Sequence, residues 1–409
     1  MRVDTMRAID KWVGVPLCFL LTIVYRIVSV LGKHRDRPVQ RILFIELSEM
    51  GSTILVDPAL QKARRELGAE LYFLIFAKNR DSLALTGTIP EANIRTIREG
   101  NLLFLLLDTL GYLYWVRRQR IDTVVDLELF SRFTALLSGL SGCARRVGFY
   151  SFHNEGLYRG ELLTHRVAYN PHIHIAKNFI AMVNSLLSRE VEIPYSKTRV
   201  HDDELVLPRY SCSEAQREEV ASCIRKAGGG PFAGLHLVLI NPNASELLPQ
   251  RRWIPERYEQ LIQRILDYRQ DVLVLITGAP GEQEEAEAMR VRIGRERCIN
   301  FAGALRLTQL PVLYCMAALM VTNDSGPGHF SSVTDMPTFV LFGPETPALY
   351  GSLGNATAIY AGLACSPCVS AANHRKTPCT DNKCLQAISV DQVFSTIQPV
   401  LDQLPAAAA

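Results

Sequence analysis

Residues 41–67 read RILFIELSEMGSTILVDPALQKARREL. The run RILFIEL (41–47) has the composition of a buried strand, and ILVDPALQKARREL has apolar residues at helical spacing. Between them lies Ser-Glu-Met-Gly-Ser, a short loop with one glycine. A strand that turns through such a loop into a helix is the repeating unit of a doubly wound α/β fold, whose ligands sit at the carboxyl ends of the strands. Glu49 lies in the loop and Glu46 at the end of the strand before it, and the question is whether either does chemistry.

Outward from this stretch the alternation continues. LYFLIFA (71–77) and TVVDLEL (123–129) read as strands, IRTIR as a short one, and 102–120, SRFTALLSGL and 173–187 as helices. The polar, aperiodic stretch YSKTRVHDDELVLPRY (195–210) reads as an interdomain linker. The pattern then restarts. Strands are expected at LHLVLINPNAS (235–245, strand then loop), DVLVLITG (271–278), LMVTND (319–324) and PTFVLFG (337–343), with helices between them and a last helix over 388–401. Two βα series in one chain predict two doubly wound α/β domains facing a cleft. The expected boundaries are 1–36 for an N-terminal segment, 37–205 for the first domain and 206–404 for the second.

The chain's 409 residues exceed one ordinary core, which agrees with two domains. A formal net charge of +3, with no aromatic-interleaved basic patch, argues against a nucleic-acid partner. The N-terminus is unusual: WVGVPLCFLLTIVY (12–25) carries no charge, and Arg26 then precedes IVSVLG. A spanning helix needs roughly 20 apolar residues, so this run suits a segment that enters one leaflet. Arg7 and Lys11 precede it, and Lys33, Arg35 and Arg37 follow. Positive charge at both ends predicts association with the cytoplasmic face of the inner membrane, peripheral or monotopic.

Two further stretches carry chemistry. In VTNDSGPGHF (321–330) a strand ends at Asn323-Asp324, and Ser325-Gly326-Pro327-Gly328 leads into a helix. Glycines permit close backbone approach, and N–H groups of a first helical turn attract anions. Pro327 has no N–H, so the expected anion cradle is Ser325, Gly326, Gly328 and His329. In NPNASELLPQRRWIPERY (241–258), Arg251 and Arg252 sit between a strand and a helix beside Trp253. A guanidinium binds two phosphate oxygens at once and stays charged. The bland alternatives are an ordinary βα turn and a solvated arginine pair.

Taken together, ILFIELSEMGSTILVDPALQKAR, NPNAS with RRW, NDSGPGH, and CSPC…C…C followed by ISVDQV resemble glycosyltransferase family 9, the heptosyltransferases of lipopolysaccharide core assembly. The resemblance runs from about Arg41 to Val393. It implies a GT-B fold of two Rossmann-like domains and an inverting, metal-independent transfer. The donor would be a nucleotide-diphosphate sugar, an ADP-sugar by preference, and the acceptor a lipid-linked or cell-envelope glycan. By this resemblance the turn from Ser325 to His329 holds the diphosphate, and Asp324 and Asn243 join the substrate-binding set. Arg251 matches a basic residue two places before Trp and neutralises the leaving group. Glu282, in GAPGEQEEAEAM, lies near the family's ribose carboxylate. Gly51 and Ser52 line the acceptor-side loop. The chain departs from the family here: members carry Asp directly after the loop glycine as the base, and this chain has Ser52. Serine is a poor base, so Glu49, two residues before Gly51, is expected to take the role, with Glu46 second. The alternative is a non-catalytic sugar-nucleotide or glycan-binding protein that kept the fold and lost the base.

Of ten cysteines, six are scattered, as in a reduced cytosolic protein. Cys365, Cys368, Cys379 and Cys384 cluster, with one short pair and one looser pair. A structural zinc, disulfides and free thiols all stay open. The transfer itself requires no cofactor.

Overall fold

The computed structural model describes residues 3–31, 38–129, 131–153, 157–230, 232, 234–370, 373 and 375–406. The basic residues Lys33, Arg35 and Arg37 lie outside them. The chain divides into two compact units, Met1–Val206 and Leu207–Ala409.

The first unit opens with two helices, α1 (Val3–Trp12) and α2 (Gly14–Leu31). Its sheet is built from β1 (Arg41–Ile45), β2 (Glu70–Phe76), β3 (Ile94–Ile97), β4 (Thr123–Asp126), β5 (Arg145–Phe149) and β6 (His165–Val167). The crossover helices are α3 (Met50–Leu67), α4 (Leu102–Arg118), α5 (Arg132–Leu140) and α6 (Ile175–Leu187). All six strands are parallel, in the order β3-β2-β1-β4-β5-β6. Parallel strands covered on both faces must be apolar throughout, and Ile42 to Ile45 are all fully buried. The order reverses direction between β1 and β4, so the loops after those two strands meet at the switch point where such sheets bind ligands.

α3 begins at Met50, four residues before the run that signals it in the sequence. Gly51 and Ser52 are weak helix formers, and fixed contacts to the loop before them override that preference. α3 ends at Gly68, in the left-handed conformation at φ 61°, whose N–H closes the helix on the Arg64 carbonyl.

The N-terminal helices form part of this unit. The Asp10 carboxylate accepts from the Arg132 and Phe133 N–H groups, both at 2.9 Å, and so satisfies the first turn of α5. The Thr22 hydroxyl donates to the Cys18 carbonyl and accepts from the Glu161 N–H, and the Tyr25 hydroxyl donates to the Gly139 carbonyl at 2.6 Å. Gly160, at φ 72°, lets the chain approach so closely that a Cβ there would lie 2.8 Å from the Cys18 carbonyl oxygen.

The second unit repeats the plan. α7 (Glu214–Ile224) precedes β7 (His236–Asn241), α8 (Pro255–Tyr268), β8 (Val272–Ile276), α9 (Gln283–Ile293) and β9 (Cys298–Asn300). Next come α10 (Leu310–Met316), β10 (Ala317–Asn323), α11 (Gly326–Phe330), β11 (Thr338–Phe342), α12 (Pro347–Tyr350), β12 (Ala356–Tyr360), α13 (Lys383–Gln386) and α14 (Val390–Gln403). The parallel order is β12-β11-β10-β7-β8-β9, and the switch lies between β10 and β7. Trp253 and Tyr258 pack edge to face at 4.9 Å in this core, and the Trp253 indole N–H donates to the Ile388 carbonyl. Each fully buried side chain of this size contributes about 1.5–3 kcal/mol.

Candidate active site

In the first unit the loop after β1 is clamped from two sides. The Glu128 Oε1 atom, two residues past β4, accepts from the Leu47 N–H (2.9 Å), the Ser48 N–H (3.0 Å) and the Ser48 hydroxyl (2.8 Å). The Asn79 amide donates to the Leu47 carbonyl at 2.9 Å. Glu49 therefore starts α3 from a fixed point. It is the residue before the first helical turn, with extended φ and ψ. The Ser52 hydroxyl donates to Glu49 Oε2 at 3.3 Å. The serine that stands where a base is usual is thus a donor to the neighbouring carboxylate. Glu46 is buried at the end of β1.

Below the loop, Asp126 ends β4 fully buried and paired with Arg159. Burial pushes the Asp126 carboxyl up to about 6, against the pull of Arg159. Arg159 also donates to the Ser131, Glu128 and Phe149 carbonyls, so this ion pair ties together the chain beyond β4 and β5.

Glu128 was not a candidate from the sequence. Its signal was its place at the carboxyl end of the strand that adjoins β1 in a doubly wound sheet. It is a positioning residue, and its removal has a stated cost. Glu128→Ala leaves the Leu47 and Ser48 N–H groups without their acceptor and should lower stability by about 1–3 kcal/mol. Turnover should fall with little change in donor KM, and Glu128→Gln, which keeps an acceptor oxygen, should recover most of it. Thermal melts and steady-state kinetics of the two variants check this.

In the second unit Asn323 ties the switch point. Its Oδ1 accepts from the Trp253 N–H and the Tyr258 hydroxyl, and its Nδ2 donates to the Pro242 and Asn243 carbonyls. The next residue, Asp324, is buried and lies 3.5 Å from Arg251 Nε. Arg251 also pairs with Glu345, three residues beyond β11, and Glu345 Oε1 lies 3.3 Å from Arg375 Nε. Two cations and two acids thus interleave at the carboxyl ends of β10 and β11. Burial works against the Arg251 charge, but Asp324 and Glu345 outweigh it and hold the guanidinium protonated. Burial pushes Glu345 up to about 8, with Arg251 pulling against it and Asp324 adding to the rise. Asp324 is also raised by burial, with Arg251 opposing. Of the two acids, Glu345 is the one that burial and its neighbour Asp324 both push toward the protonated form.

The residues of the expected cradle differ in burial. Gly328 is buried, and its N–H already donates to the Ser325 carbonyl at 3.2 Å. A Cβ there would lie 3.0 Å from Ser352 Oγ and 3.2 Å from Val340, so this glycine serves the packing of α11 on the sheet. His329 is buried too, with Nδ1 3.5 Å from the Ser352 hydroxyl. Ser325 and Gly326 are the half-exposed residues with N–H groups at this turn.

Asn243 and Glu282 converge from β7 and β8. A Cβ on Gly278 would lie 2.8 Å from both Asn243 Nδ2 and Glu282 Oε2. Glu282 accepts from the Ala279 N–H at 2.6 Å, and burial raises its carboxyl, partly offset by that bond and by Arg252. Arg252 is held by the Ala244 carbonyl and Glu246. The sequence-predicted residues therefore form two groups: Glu49, Gly51 and Ser52 in the first unit, and Asn243, Arg251, Glu282, Asp324, Ser325, Gly326, Gly328 and His329 at one edge of the second. Glu345, in LFGPE, gave no motif signal because its partners are distant in sequence.

The residues from 116 to 377 match the model of glycosyltransferase family 9 (heptosyltransferase). The chain belongs to that family. The match contains Glu128 and the whole Arg251–Asp324–Glu345 cluster but leaves out the loop with Glu49 and Ser52. Lipopolysaccharide heptosyltransferase 2 of Salmonella typhimurium is 27% identical over 146 residues, 35% of this chain and 40% of that protein. The chain thus spans less than half the length of that relative. The fold is that of E. coli ADP-heptose lipopolysaccharide heptosyltransferase II, with a TM-score of 0.68 at 19% identity over 89% of this chain and 99% of that one. E. coli heptosyltransferase WaaC with ADP superposes with a TM-score of 0.60 at 15% identity, over 88% and 100%. These likenesses identify the fold of this family 9 chain as GT-B.

The cysteine cluster does not fit a zinc site. Among the described residues no three His, Cys, Asp or Glu side chains are arranged to hold a metal ion. Cys365 is exposed, Cys368 and Cys379 are half-buried, and Cys384 is buried on α13. Cys384 faces Gly343, whose Cβ position lies 3.2 Å from its sulfur. All four are free thiols in this structure. Burial raises the Cys384 thiol, and the neighbouring Cys368 and Cys379 add to the rise.

Proposed function

We propose that the chain is an inverting glycosyltransferase that moves a heptose or similar sugar from a nucleotide-diphosphate donor to a lipid-linked or envelope glycan. The observation that carries this reading is Arg251, held charged and oriented between Asp324 and Glu345 beside the Ser325-Gly326 turn. An acceptor hydroxyl attacks the anomeric carbon from the side opposite the diphosphate. The bond to the diphosphate breaks, and charge develops on its leaving oxygen. A fixed guanidinium and fixed N–H dipoles stabilise that charge without reorganising. Asn243 and Glu282 are assigned to the nucleoside end of the donor. An ADP-sugar is favoured because the solved family 9 structures include one with ADP and one with ADP-2-deoxy-2-fluoro heptose. Glu49 takes the acceptor proton, and the Ser52 hydroxyl orients its carboxylate. The apolar N-terminal helix, long enough to cross a membrane by length and composition, supports a place at the cytoplasmic membrane surface, next to a lipid-linked acceptor.

Ser52 also supports a second reading, a binding protein without transfer activity. Nucleotide-diphosphate release from ADP-, UDP- and GDP-sugars, with and without membrane lipid extract, separates the two. Release from one donor only when lipid is present fits transfer, and donor binding without release fits the second reading.

The cluster also predicts a pH dependence. Below about 8 Glu345 is protonated and Arg251 faces the diphosphate with one competing carboxylate; above it Glu345 ionises and takes a second share of the guanidinium. Donor KM should rise by about tenfold as pH passes upward through this region. Glu345→Gln should remove the step, and donor KM measured across pH in both proteins checks it.

A further inference from the structure

We propose that α2 and α4 together form one lipid-binding face on the first unit, which lies flat on an anionic membrane. α4 carries no motif. Yet Leu103, Leu106 and Leu110 on it, like Phe19, Leu20 and Ile27 on α2, are each more than half exposed. Most of the large apolar side chains exposed among the described residues belong to α2, α4 and the α1–α2 junction. Exposed apolar surface of this extent marks an interaction site.

Both helices are bonded to α5. From α4, the Tyr112 hydroxyl donates to the Leu137 carbonyl and Arg117 to the Leu140 carbonyl; from α2, Tyr25 donates to the Gly139 carbonyl. Thr22 and Tyr25 of α2 turn inward to partners in this unit, and the exposed Arg26 pairs with Glu161. A helix fixed along its length in this way lies in the membrane plane and does not span it.

Charge selects lipid as the occupant. α2 carries no acid, and the described carboxylates of α1 and α4 are already paired, Asp10 with Arg132 and Asp108 with Arg98. Among exposed cations, Lys11 precedes α2, and Arg117, Arg118 and Arg120 come at the end of α4 and just after it. Such a surface, apolar with exposed cations and with its acids paired, complements anionic headgroups. Helices that follow parallel strands start at the carboxyl edge of the sheet. The apolar first half of α4 therefore leans toward the edge that carries the Glu49 loop, which is where a lipid-linked acceptor is needed.

The test is co-sedimentation of the full chain with vesicles of phosphatidylethanolamine and phosphatidylglycerol, read without donor sugar, so that its outcome is independent of transfer. The double variant Leu103→Asn/Leu107→Asn, made at exposed positions, should keep its melting temperature and lose about tenfold or more in partition coefficient. As a gain of signal, Leu107→Trp in a Trp12→Phe background should be quenched by lipids brominated on the acyl chains. Wild-type partitioning of the double variant, or an unquenched tryptophan, would overturn the proposal. So would a wild-type dimer that binds no vesicles and dissociates on the α4 substitutions, since that assigns the face to a second copy.

Discussion

In the Arg251→Met variant, turnover with the nucleotide-diphosphate donor should fall by about 10²–10³, the usual cost of deleting one fixed group that stabilises developing charge. The side chain has a second role that the measurement must separate. Arg251 is the cation between Asp324 and Glu345, and both acids are buried. Removing it at a pH above about 8, where Glu345 is also ionised, leaves Asp324 without its cation and Glu345 with Arg375 alone, a change that typically costs about 3–5 kcal/mol. Part of that cost is recovered when the acids take up protons. Arg251→Met/Glu345→Gln should therefore melt closer to wild type than Arg251→Met while remaining as inactive. Donor turnover and thermal melts of both variants check the pair of outcomes. If activity returns along with stability, the arginine is structural.

Glu49→Gln should lower transfer by about 10²–10⁴, the span expected for loss of a general base, with donor affinity unchanged. The substitution keeps the size of the side chain and its bond to Ser52. Ser52→Ala should cost only a few-fold, because the hydroxyl donates to Glu49 and is not itself the base. The reverse pattern, an inert Glu49→Gln and a dead Ser52→Ala, would remove Glu49 from the reaction. Transfer rates of the two variants at saturating donor measure this.

The architecture was readable where physics acts locally. Buried parallel strands must be apolar throughout, so β1, β8 and β11 stand out as continuous runs. The strands that gave no signal are edge or short ones. His165–Val167 and Cys298–Asn300 have three residues each, and β12 alternates weakly. The start of α3 was misjudged for a related reason: bonds from Glu128 and Asn79, distant in sequence, set the loop before it. The site divides in the same way. The Asp324–Gly326 turn and Arg251 follow from local motifs. Glu345 and Glu128 do not, since each acts through partners on neighbouring strands. The part played by Gly328 could not be read locally either, because its close neighbours, Ser352 and Val340, come from later in the chain.

The central claim is sugar transfer with Glu49 as base. The most direct measurement is incorporation of labelled sugar from the active donor into the host's extracted membrane lipids, comparing wild type with Glu49→Gln and recording donor affinity for both. Wild type should give labelled lipid and the variant almost none, at equal donor affinity. Bound donor with no labelled lipid from either protein would contradict the claim and assign the chain to binding without transfer.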